Sequence, residues 1–548
     1  MNYGFVIDNR KCIGCHACTV ACKSEHDVPI GVNRTWVKYI EKGEFPHTRR
    51  LFSVMRCNHC ESAPCVDICP VEALHYRSDG IVDFDNRRCI GCKACMQACP
   101  YDALYIDPES HTAAKCNYCA HRIDIGLEPA CVNVCPEHAI ISGDMENPAS
   151  EIAQLLSREQ VTARKTEKGT RPNVFYIEGD AAALTPAETN QSTDYMWNSQ
   201  STGVGHFAHF AESLIAKSDP LEMVKQLAGN SSHGNSPHIS ASDAHQEAGR
   251  GANLYQKALS SIKKNTRRVY DAPAKGILWG WEVSAYVWTK AISAGAFLLP
   301  AAATTFGIAE APDSVQWFGW IIAMVFLAIT GALLVKDLDK PSRFAYVLLR
   351  PQWKSWLTRG GYAIFFYGLF LAAWGHGKFW GMAQLETISF FGASIFAILT
   401  AVYTAFLFAQ SKGRDFWQSP ALSLHMLGHS LAAGAAIFAL FPVSELSWSP
   451  YVKGVIYASL IFNLIIMISE ILTPHPTSDA KKTVNMIISG KFRNAFWFGA
   501  IGLGHLLPLA LLFFGGESLM VLTGVTMLFG IYITEHIWVR APQLIPLS

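Results

Sequence analysis

The chain has 548 residues, of which 50% are hydrophobic and 16% charged, and its formal net charge is +1. A charge so close to zero gives no indication of nucleic-acid binding, and a mean hydropathy of +0.17 is too high for an ordinary soluble protein of this length. The part before Lys275 is nevertheless polar, so the sequence predicts two regions that face different solvents.

The cysteines mark the first region. There are sixteen of them, and they fall into four groups of four. The first and third groups have the spacing Cys-x2-Cys-x2-Cys-x3-Cys, and the second and fourth are stretched versions of it. In chain order the groups are Cys12, Cys15, Cys18, Cys22; Cys57, Cys60, Cys65, Cys69; Cys89, Cys92, Cys95, Cys99; and Cys116, Cys119, Cys131, Cys135.

This spacing predicts iron–sulfur clusters. A tight loop with a thiolate every third residue can reach three corners of a cubane, while the fourth cysteine ligates a different cluster. Gly14 and Gly91 remove a side chain where the backbone must pass close to sulfur. Disulfides and structural zinc are the alternatives. Disulfides need an oxidising compartment, and zinc uses paired Cys-x2-Cys knuckles that only the second and fourth groups imitate.

Segments 56–60, 79–83 and 114–119 carry a family resemblance. Through them, residues 1–182 resemble the four-cluster ferredoxin subunit of the molybdenum or tungsten bis-pterin oxidoreductases. The resemblance implies an α+β ferredoxin-like electron-transfer domain, a separate pterin-bearing catalytic partner, and four 4Fe-4S clusters of which the last named here lies nearest the membrane. Their ligands would be Cys12, Cys15, Cys18 and Cys135; Cys116, Cys119, Cys131 and Cys22; Cys57, Cys60, Cys65 and Cys99; and Cys89, Cys92, Cys95 and Cys69.

Residues 183–275 are predicted to form a polar, largely disordered linker. Up to about residue 252 they are rich in Ser, Thr, Asn, Gln, Gly and His, and such a composition cannot bury enough apolar area to order itself. Residues 206–227 have apolar side chains at helical intervals, which predicts one short helix. The scattered histidines could bind a metal ion, but a solvated linker is the favoured interpretation.

Residues 276–548 are predicted to form an all-α polytopic membrane domain. Apolar runs on the order of 20 residues, long enough to cross a bilayer, recur eight times. The predicted transmembrane helices cover 277–306, 315–336, 357–376, 387–409, 419–441, 450–473, 493–515 and 518–538.

Basic residues predict the orientation of these spans. Loops 307–314, 442–449 and 515–517 contain no Lys or Arg and loop 377–386 contains only Lys378, whereas the alternate loops are rich in both. Basic loops stay on the cytoplasmic side. We therefore expect a multi-pass protein of a prokaryotic inner membrane with its iron–sulfur domain in the cytoplasm. The first residues show no signal peptide or twin-arginine motif, although a partner could carry an export signal.

Segments 279–286, 337–344 and 355–361 carry a second resemblance. They are similar to the NrfD-like family of haem-free, quinone-handling membrane subunits, and they cover the first three spans. Later spans match that family mainly by length and number. The resemblance implies a site for menaquinone or ubiquinone at the membrane face that touches the ferredoxin domain, and no haem.

Ionisable residues near that face are candidates for the quinone site. Glu282, Tyr286 and Lys290 are four residues apart and share one face of the first span. A quinone that gains two electrons must also gain two protons, so Glu282 and Asp337 are the candidate proton relay. The candidate quinone ligands are Glu282, Tyr286, Lys290, Arg343 and Arg359. The alternative is that such charges only anchor helix ends.

Deeper polar residues have several possible roles. His429 and His505 could be axial haem ligands, although the family resemblance argues against haem. His425, His429, Glu470 and His505 could form a proton path, and hydrogen bonds between helices are the default role for such residues.

These patterns favour one function. The chain is interpreted as the electron-transfer and quinone-binding subunit of a membrane-bound respiratory oxidoreductase, in which electrons pass between a molybdopterin or tungstopterin catalytic subunit, four 4Fe-4S clusters and a membrane quinone. The alternatives are a redox-driven proton-translocating subunit and a non-catalytic iron–sulfur scaffold.

Overall fold

The structure is a computed structural model that describes residues 1–44, 46–191, 265–272, 275–441 and 448–548. The predicted short helix at 206–227 and most of the predicted linker lie outside the described residues. An α+β cysteine-bearing region precedes a helical, membrane-type region. The predicted fold class is confirmed at this level.

The cysteine-bearing region is built from short strands and helices. The strands are Tyr3–Asp8 (β1), Thr35–Glu44 (β2), His47–Arg56 (β3), Leu74–Tyr76 (β4), Val82–Phe84 (β5), Leu104–Ile106 (β6), Ala113–Lys115 (β7), Ile140–Asp144 (β8), Val161–Thr162 (β9), Val174–Ile177 (β10), Asn190–Gln191 (β11) and Thr266–Tyr270 (β12). Two four-stranded sheets have the orders β8-β1-β10-β9 and β11-β12-β2-β3, and β4-β5 and β6-β7 are separate antiparallel pairs. The α-helices are Ala17–Glu25, Pro64–Ile68, Ala94–Ala98, Ala120–Ile123, Ala130–Asn133, Glu151–Arg158 and Ala181–Leu184, with 3-10 turns at Thr166–Lys168 and Pro186–Glu188.

Local sequence explains the position of β1. This strand pairs with β8 on one side and β10 on the other, and Phe5, Val6 and Ile7 are all 0% exposed. A continuous apolar run, without polar alternation, is typical of a strand that is buried on both faces.

The ends of the predicted linker are ordered. β11 and β12 pair in parallel, and β12 extends the β2–β3 hairpin with Arg268 opposite Ile40. Arg267 also forms an ion pair of 2.7 Å with Glu41. Thr266–Tyr270 has only five residues, and it is stable as a strand because the edge of β2 is available to pair with it.

The second region contains eight long helical segments in the described residues, which we number first to eighth. They are Trp281–Thr305, Asp313–Lys336, Trp356–Phe379, Ala383–Gln410, Leu422–Leu440, Trp448–Leu472, Ala495–Gly515 and Met520–Arg540. The seventh begins as a π-helix over Ala495–Leu506 and continues as an α-helix over Leu507–Gly515. Shorter helices are Tyr346–Leu349 and Ser478–Ile488, with 3-10 turns at Pro341–Arg343, Asp415–Gln418, Gly516–Leu519 and Pro542–Leu544.

Six of these described helices are long and apolar enough to cross a membrane. The first and third helices do not meet that criterion of length and composition. The fifth helix is the most enclosed of the six. In its apolar stretch of 18 residues, 78% of the residues are buried, whereas the corresponding share in the second helix is 22%. The fifth helix therefore lies at the centre of the bundle, and the second lies at its outside.

The cysteine-bearing region sits directly on the helix ends. Ser355 Oγ donates to Ile68 O at 2.7 Å and Thr358 Oγ1 donates to Pro70 O at 3.0 Å. Arg343 donates to Asn86 O and Cys89 O at 2.7 and 2.9 Å. The second and third cysteine groups consequently lie against the membrane-type region.

Candidate functional site

The first and third cysteine loops repeat one backbone shape. Gly14 and Gly91 have φ angles of 70° and 72°, and His16 and Lys93 have φ angles of 61° and 60°. Left-handed residues at the same two positions of each motif turn the backbone sharply between successive cysteines. Gly14 and Gly91, where the sequence predicted a need for glycine, therefore both have a left-handed backbone conformation.

The loops bring cysteines together in sets of four. One pocket is lined by Cys12, Cys15, Cys18 and Cys135 and another by Cys69, Cys89, Cys92 and Cys95. We call the second of these the membrane-side set. The neighbours of the other eight thiols are consistent with two further sets: burial and the nearby thiols of Cys116, Cys131 and Cys119 raise the pKa of Cys22. In the same way, burial and Cys99, Cys57 and Cys60 raise the pKa of Cys65.

Backbone amides donate to several of these sulfur atoms. Gly91 N and Ala113 N lie 3.4 and 3.3 Å from Cys89 Sγ, and Ala139 N lies 3.3 Å from Cys135 Sγ. All sixteen cysteines are free of disulfide bonds. Hydrogen bonds to sulfur are among the contacts by which a protein tunes an iron–sulfur cluster.

Two buried cations give an independent test of what these thiols hold. Arg56 is 1% exposed and donates to Cys131 Sγ at 3.4 Å, and Lys115 is 0% exposed and donates to Cys116 O at 2.8 Å. Within the described ranges, neither forms a salt bridge. A buried cation without a counterion is costly. A cluster bound by four thiolates is anionic and would supply the missing negative charge, so the residues fit iron–sulfur clusters.

A third pocket lies between the membrane-side set and the helix bundle. It is lined by Cys92, Trp279, Tyr286, Asp337 and Tyr403 and otherwise by apolar residues. Trp279 Nε1 donates to Cys92 O at 3.1 Å. We call it the junction pocket, because it touches both a cysteine of the membrane-side set and the first helix.

Asp337 is the acidic residue of the junction pocket. It lies directly after the second helix, and burial raises the pKa of its carboxyl to about 7. The nearby ammonium of Lys93 opposes that shift, and Lys93 also donates to Asp337 O at 3.2 Å. Asp337 can therefore exchange a proton near neutral pH.

Two tyrosines supply hydroxyl groups to the same pocket. Tyr286 belongs to the first helix and Tyr403 to the fourth, and the side chain of Thr404 lies near both hydroxyl groups. Lys290 Nζ donates to Thr404 Oγ1 at 2.5 Å and to Ala401 O at 3.0 Å. Lys290 is therefore not a lining residue of the junction pocket, and it is connected to the pocket indirectly, through its hydrogen bond to Thr404.

The predicted quinone-site residues occupy different places. Tyr286 and Asp337 line the junction pocket, whereas Glu282, Lys290, Arg343 and Arg359 do not. Glu282 Oε1 lies 3.8 Å from Lys336 Nζ. Arg343 binds the backbone oxygens given above. Arg359 donates to Trp353 O at 2.7 Å and lies over the ring of Trp356.

Sequence reasoning did not single out Tyr403 as a site residue. Tyr403 is an aromatic residue inside an apolar run, and in a sequence such a residue reads as part of the core. Its place at the pocket depends on how the fourth helix packs against the first and third. Ring atoms of Tyr403 occupy the space next to Gly360 of the third helix, where a side chain would clash.

Four ionisable side chains meet deeper in the bundle. His425 Nδ1 lies 2.9 Å from Glu470 Oε2, and His429 Nδ1 lies 2.7 Å from Glu535 Oε1. The two imidazole rings have their centroids 4.2 Å apart. His505, the other ligand of the haem alternative, instead has its Nδ1 at 2.8 Å from Ala500 O.

Comparison with known families agrees with this division of the chain. Residues 11–74 and 48–145 each match a family described as a 4Fe-4S dicluster domain. Residues 271–545 match the family described as Polysulphide reductase, NrfD. The two dicluster matches together cover the cysteine loops, and the NrfD match covers the helix bundle.

Three known relatives resemble part of the chain. A tetrathionate reductase subunit of Salmonella typhimurium is 46% identical over 188 residues, which are 34% of this chain and 75% of that protein. A polysulfide reductase chain of Wolinella succinogenes is 41% identical over 180 residues, 32% of this chain and 93% of the relative. The arsenate respiratory reductase iron-sulfur subunit of Shewanella sp. is 34% identical over 227 residues, 32% of this chain and 96% of the relative.

The predicted combination of an iron–sulfur subunit and a membrane anchor is confirmed by these matches, and the NrfD match is consistent with a multi-pass membrane protein. The chain therefore belongs to the NrfD family and carries, in the same polypeptide, a 4Fe-4S dicluster region like those of reductase iron–sulfur subunits.

Proposed function

We propose that this chain carries electrons between a separate catalytic subunit and a membrane quinone, as one subunit of a respiratory oxidoreductase. In that role the sixteen cysteines hold four 4Fe-4S clusters and the eight long helices cross the membrane. The resemblance to bis-pterin oxidoreductases suggests that the catalytic partner bears molybdenum or tungsten. The basic loops favour an iron–sulfur region on the cytoplasmic side of a prokaryotic inner membrane.

The junction pocket is the observation that supports this proposal most strongly. The pocket is lined by Cys92, a candidate cluster ligand, and by Tyr286, Tyr403 and the titratable Asp337. Quinone chemistry needs an electron donor, hydrogen-bond donors and a proton source within one small volume. We infer that the quinone head group binds here.

The side chains of the pocket have separate tasks. When bound to the cysteine sets, 4Fe-4S clusters supply one-electron redox centres. Tyr286 and Tyr403 would donate hydrogen bonds to the quinone oxygens, and Asp337 would donate a proton. Leu334 of the second helix and Leu357 and Ile364 of the third also line the pocket. These apolar residues suit the isoprenoid tail of a membrane quinone.

Tyr403→Phe tests the site. We expect the affinity for a quinone analogue to fall about 5–10-fold, because one hydrogen bond worth about 1 kcal/mol is lost, while the visible absorbance of the clusters stays unchanged. Tyr367→Phe is the matched control: Tyr367 is a buried tyrosine of the third helix whose hydroxyl donates to Ser293 O at 2.9 Å. Equal affinity in the Tyr403→Phe protein and the wild type would remove Tyr403 from the site.

The same preparation separates the other candidate functions. A protein whose clusters are not reduced by a quinol analogue would favour a non-catalytic scaffold. Proton transfer across liposomes in excess of quinone chemistry would favour a redox-driven transporter.

A further inference from the structure

The ionisable residues inside the helix bundle lie in one half of it. Each is within about ten residues, or ~15 Å, of the helix end that meets the cysteine-bearing region, whereas a bilayer core is about 30 Å thick. The residues are Lys290, His425, His429, Glu470, His505 and Glu535. Beyond them, the described parts of the eight helices contain no Asp, Glu, His, Lys or Arg until the opposite ends.

Four of these residues form one enclosed group, His425, His429, Glu470 and Glu535, which are 1–5% exposed. Two of its atoms, His425 Nε2 and Glu535 Oε2, are buried and have no hydrogen-bond partner among the described residues. Buried polar atoms normally have partners. These two atoms are therefore places where a proton can be added to the group.

The charges of the group set how many protons it holds. Burial favours a neutral total charge. Each glutamate contributes one negative charge in its ionised form, and the ammonium form of Lys290, which attracts Glu535, offsets one of the two. One proton on the His425–His429 pair offsets the other. Because the two rings are 4.2 Å apart, a second imidazolium would be repelled.

The group also has a route to the junction pocket. Glu535 and Lys290 attract each other, Lys290 Nζ donates to Thr404 Oγ1, and the side chain of Thr404 lies near the hydroxyl groups of Tyr286 and Tyr403, which line the pocket. Three other described neighbours are engaged elsewhere or are not titratable: Trp538 Nε1 donates to Glu470 at 3.0 Å, Met426 Sδ lies 4.0 Å from Lys290 Nζ, and His505 Nδ1 lies 2.8 Å from Ala500 O.

We propose that His425, His429, Glu470 and Glu535 form a one-proton store that serves the junction pocket and exchanges protons only with the membrane face that carries the cysteine-bearing region. This inference rests on the proposed quinone site. A quinone that takes two electrons forms two O–H bonds; one proton comes from Asp337, and the other comes from the store through Lys290, Thr404 and Tyr286. Water on the same face then replaces both protons.

The consequence is an electroneutral reaction. Electrons and protons reach the quinone from the same face, so neither kind of charge crosses the bilayer. Among the described residues, a hydrogen-bonded path through the other half of the bundle would have to be built without Asp, Glu, His, Lys or Arg until it reached the opposite helix ends. Tyr451 in that half is already bonded within the bundle, because its hydroxyl donates to Leu299 O at 3.0 Å.

Proton release from vesicles tests the side of exchange. The full chain is placed in liposomes with a membrane quinol, and ferricyanide, a one-electron oxidant that does not cross the bilayer, is added outside. Each quinol gives two electrons to two ferricyanide ions and releases two protons. We expect both protons outside, detected by a pH dye, and no membrane potential. Protons released inside, or a membrane potential, would overturn the inference.

Substitution tests the store itself. Glu535→Gln should lower the turnover rate at saturating quinol about tenfold or more without changing quinone affinity, and Glu470→Gln should act similarly. Glu386→Gln is the matched control, because Glu386 lies at the opposite end of the bundle, 3.7 Å from Lys378. Unchanged turnover in both store variants would contradict the store. Cluster absorbance and thermal melting verify that each variant is folded.

Two further results would distinguish a failure of the proposed function from a failure of the proton store alone. If the wild-type chain oxidises no quinol, the proposed function itself fails. If the chain turns over but contains one zinc ion that Glu535→Gln removes, the group is a metal site and no proton store, because donor atoms of His425, His429 and Glu535 lie within 4.8 Å of one another.

Discussion

At the scale of single residues, Arg56 is closely tied to one cysteine set. Its guanidinium is 1% exposed, donates to Cys131 Sγ and lies 4.4 Å from the centre of the Phe5 ring. Segment 56–60 was recognisable in the sequence, but the role of Arg56 was not. An arginine beside a cysteine motif is normally a surface residue, and only the fold shows that it is enclosed.

Arg56→Gln should lower the reduction potential of the cluster bound through Cys131. A hydrogen bond to a charged group is worth about 1.5–3 kcal/mol, which corresponds to roughly 60–130 mV for a one-electron couple. A redox titration followed by electron paramagnetic resonance measures the shift. Arg10→Gln, which removes an ion pair with Asp8, serves as the control. The prediction fails if no cluster potential moves.

Asp337 predicts a pH dependence. Its folded pKa is raised to about 7 by burial, so the carboxyl carries a proton below that pH and loses it above. Quinone reduction that takes a proton from Asp337 should therefore slow as the pH rises through about 7. The turnover rate measured as a function of pH tests this. In the Asp337→Asn protein, the decrease in rate near pH 7 should be absent. Asp339→Asn should keep it, because Asp339 pairs with Lys93 and does not line the pocket.

At the scale of elements, the length of each apolar run in the sequence predicted the positions of the long helices well. Elements that depend on packing against a neighbour were not predicted. The predicted span 277–306 corresponds to Trp281–Thr305, and 387–409 falls within Ala383–Gln410. The π-helical start of the seventh helix and the strand β12 were not predicted. Both depend on neighbouring elements: the helix packs closely where Gly504 meets Gly530, and β12 needs the open edge of β2.

The crossing of the first and fifth helices depends on glycine. A side chain on Gly434 would clash with the backbone of Gly295, whereas one on Gly454 would meet nothing within 4 Å. We expect Gly434→Ala to destabilise the bundle by about 1–3 kcal/mol, because the helices must separate, and Gly454→Ala to have little effect. Thermal melting in detergent compares the two. Equal melting temperatures would show that the helices do not cross at this point.

At the scale of the whole molecule, the two regions share one contact surface. Gln543, which follows the eighth helix, accepts from Gln97 Nε2 at 2.6 Å and from Trp279 N at 2.9 Å. The sequence predicted the four cysteine groups and the two regions because spacing and hydropathy are local signals, whereas the assignment of the cysteines to ligand sets was implied by the family resemblance. A site at this face and its residues Tyr286 and Asp337 were expected, but Tyr403 was not, because it comes from a helix more than a hundred residues beyond Tyr286.

The number of clusters can be counted directly. If every set of four thiols is occupied, the purified chain should contain about sixteen iron atoms and about sixteen acid-labile sulfides. Elemental analysis measures both. Removal of iron should unfold the cysteine-bearing region, because Arg56 and Lys115 would remain buried without a counterion, and far-UV circular dichroism would detect this. About half that iron, or a native spectrum after its removal, would contradict the prediction.

The parallel pairing of β11 with β12 bears on how this chain can vary in length. Asn190 lies opposite Arg267, so the polypeptide leaves the sheet and returns to it at adjacent positions of one edge. The pairing of β11 with β12 therefore fixes the positions of both ends of the intervening segment. Insertions or deletions in that segment would leave the spacing between the clusters and the bilayer unchanged. Related chains could therefore differ widely here while conducting electrons over the same distance.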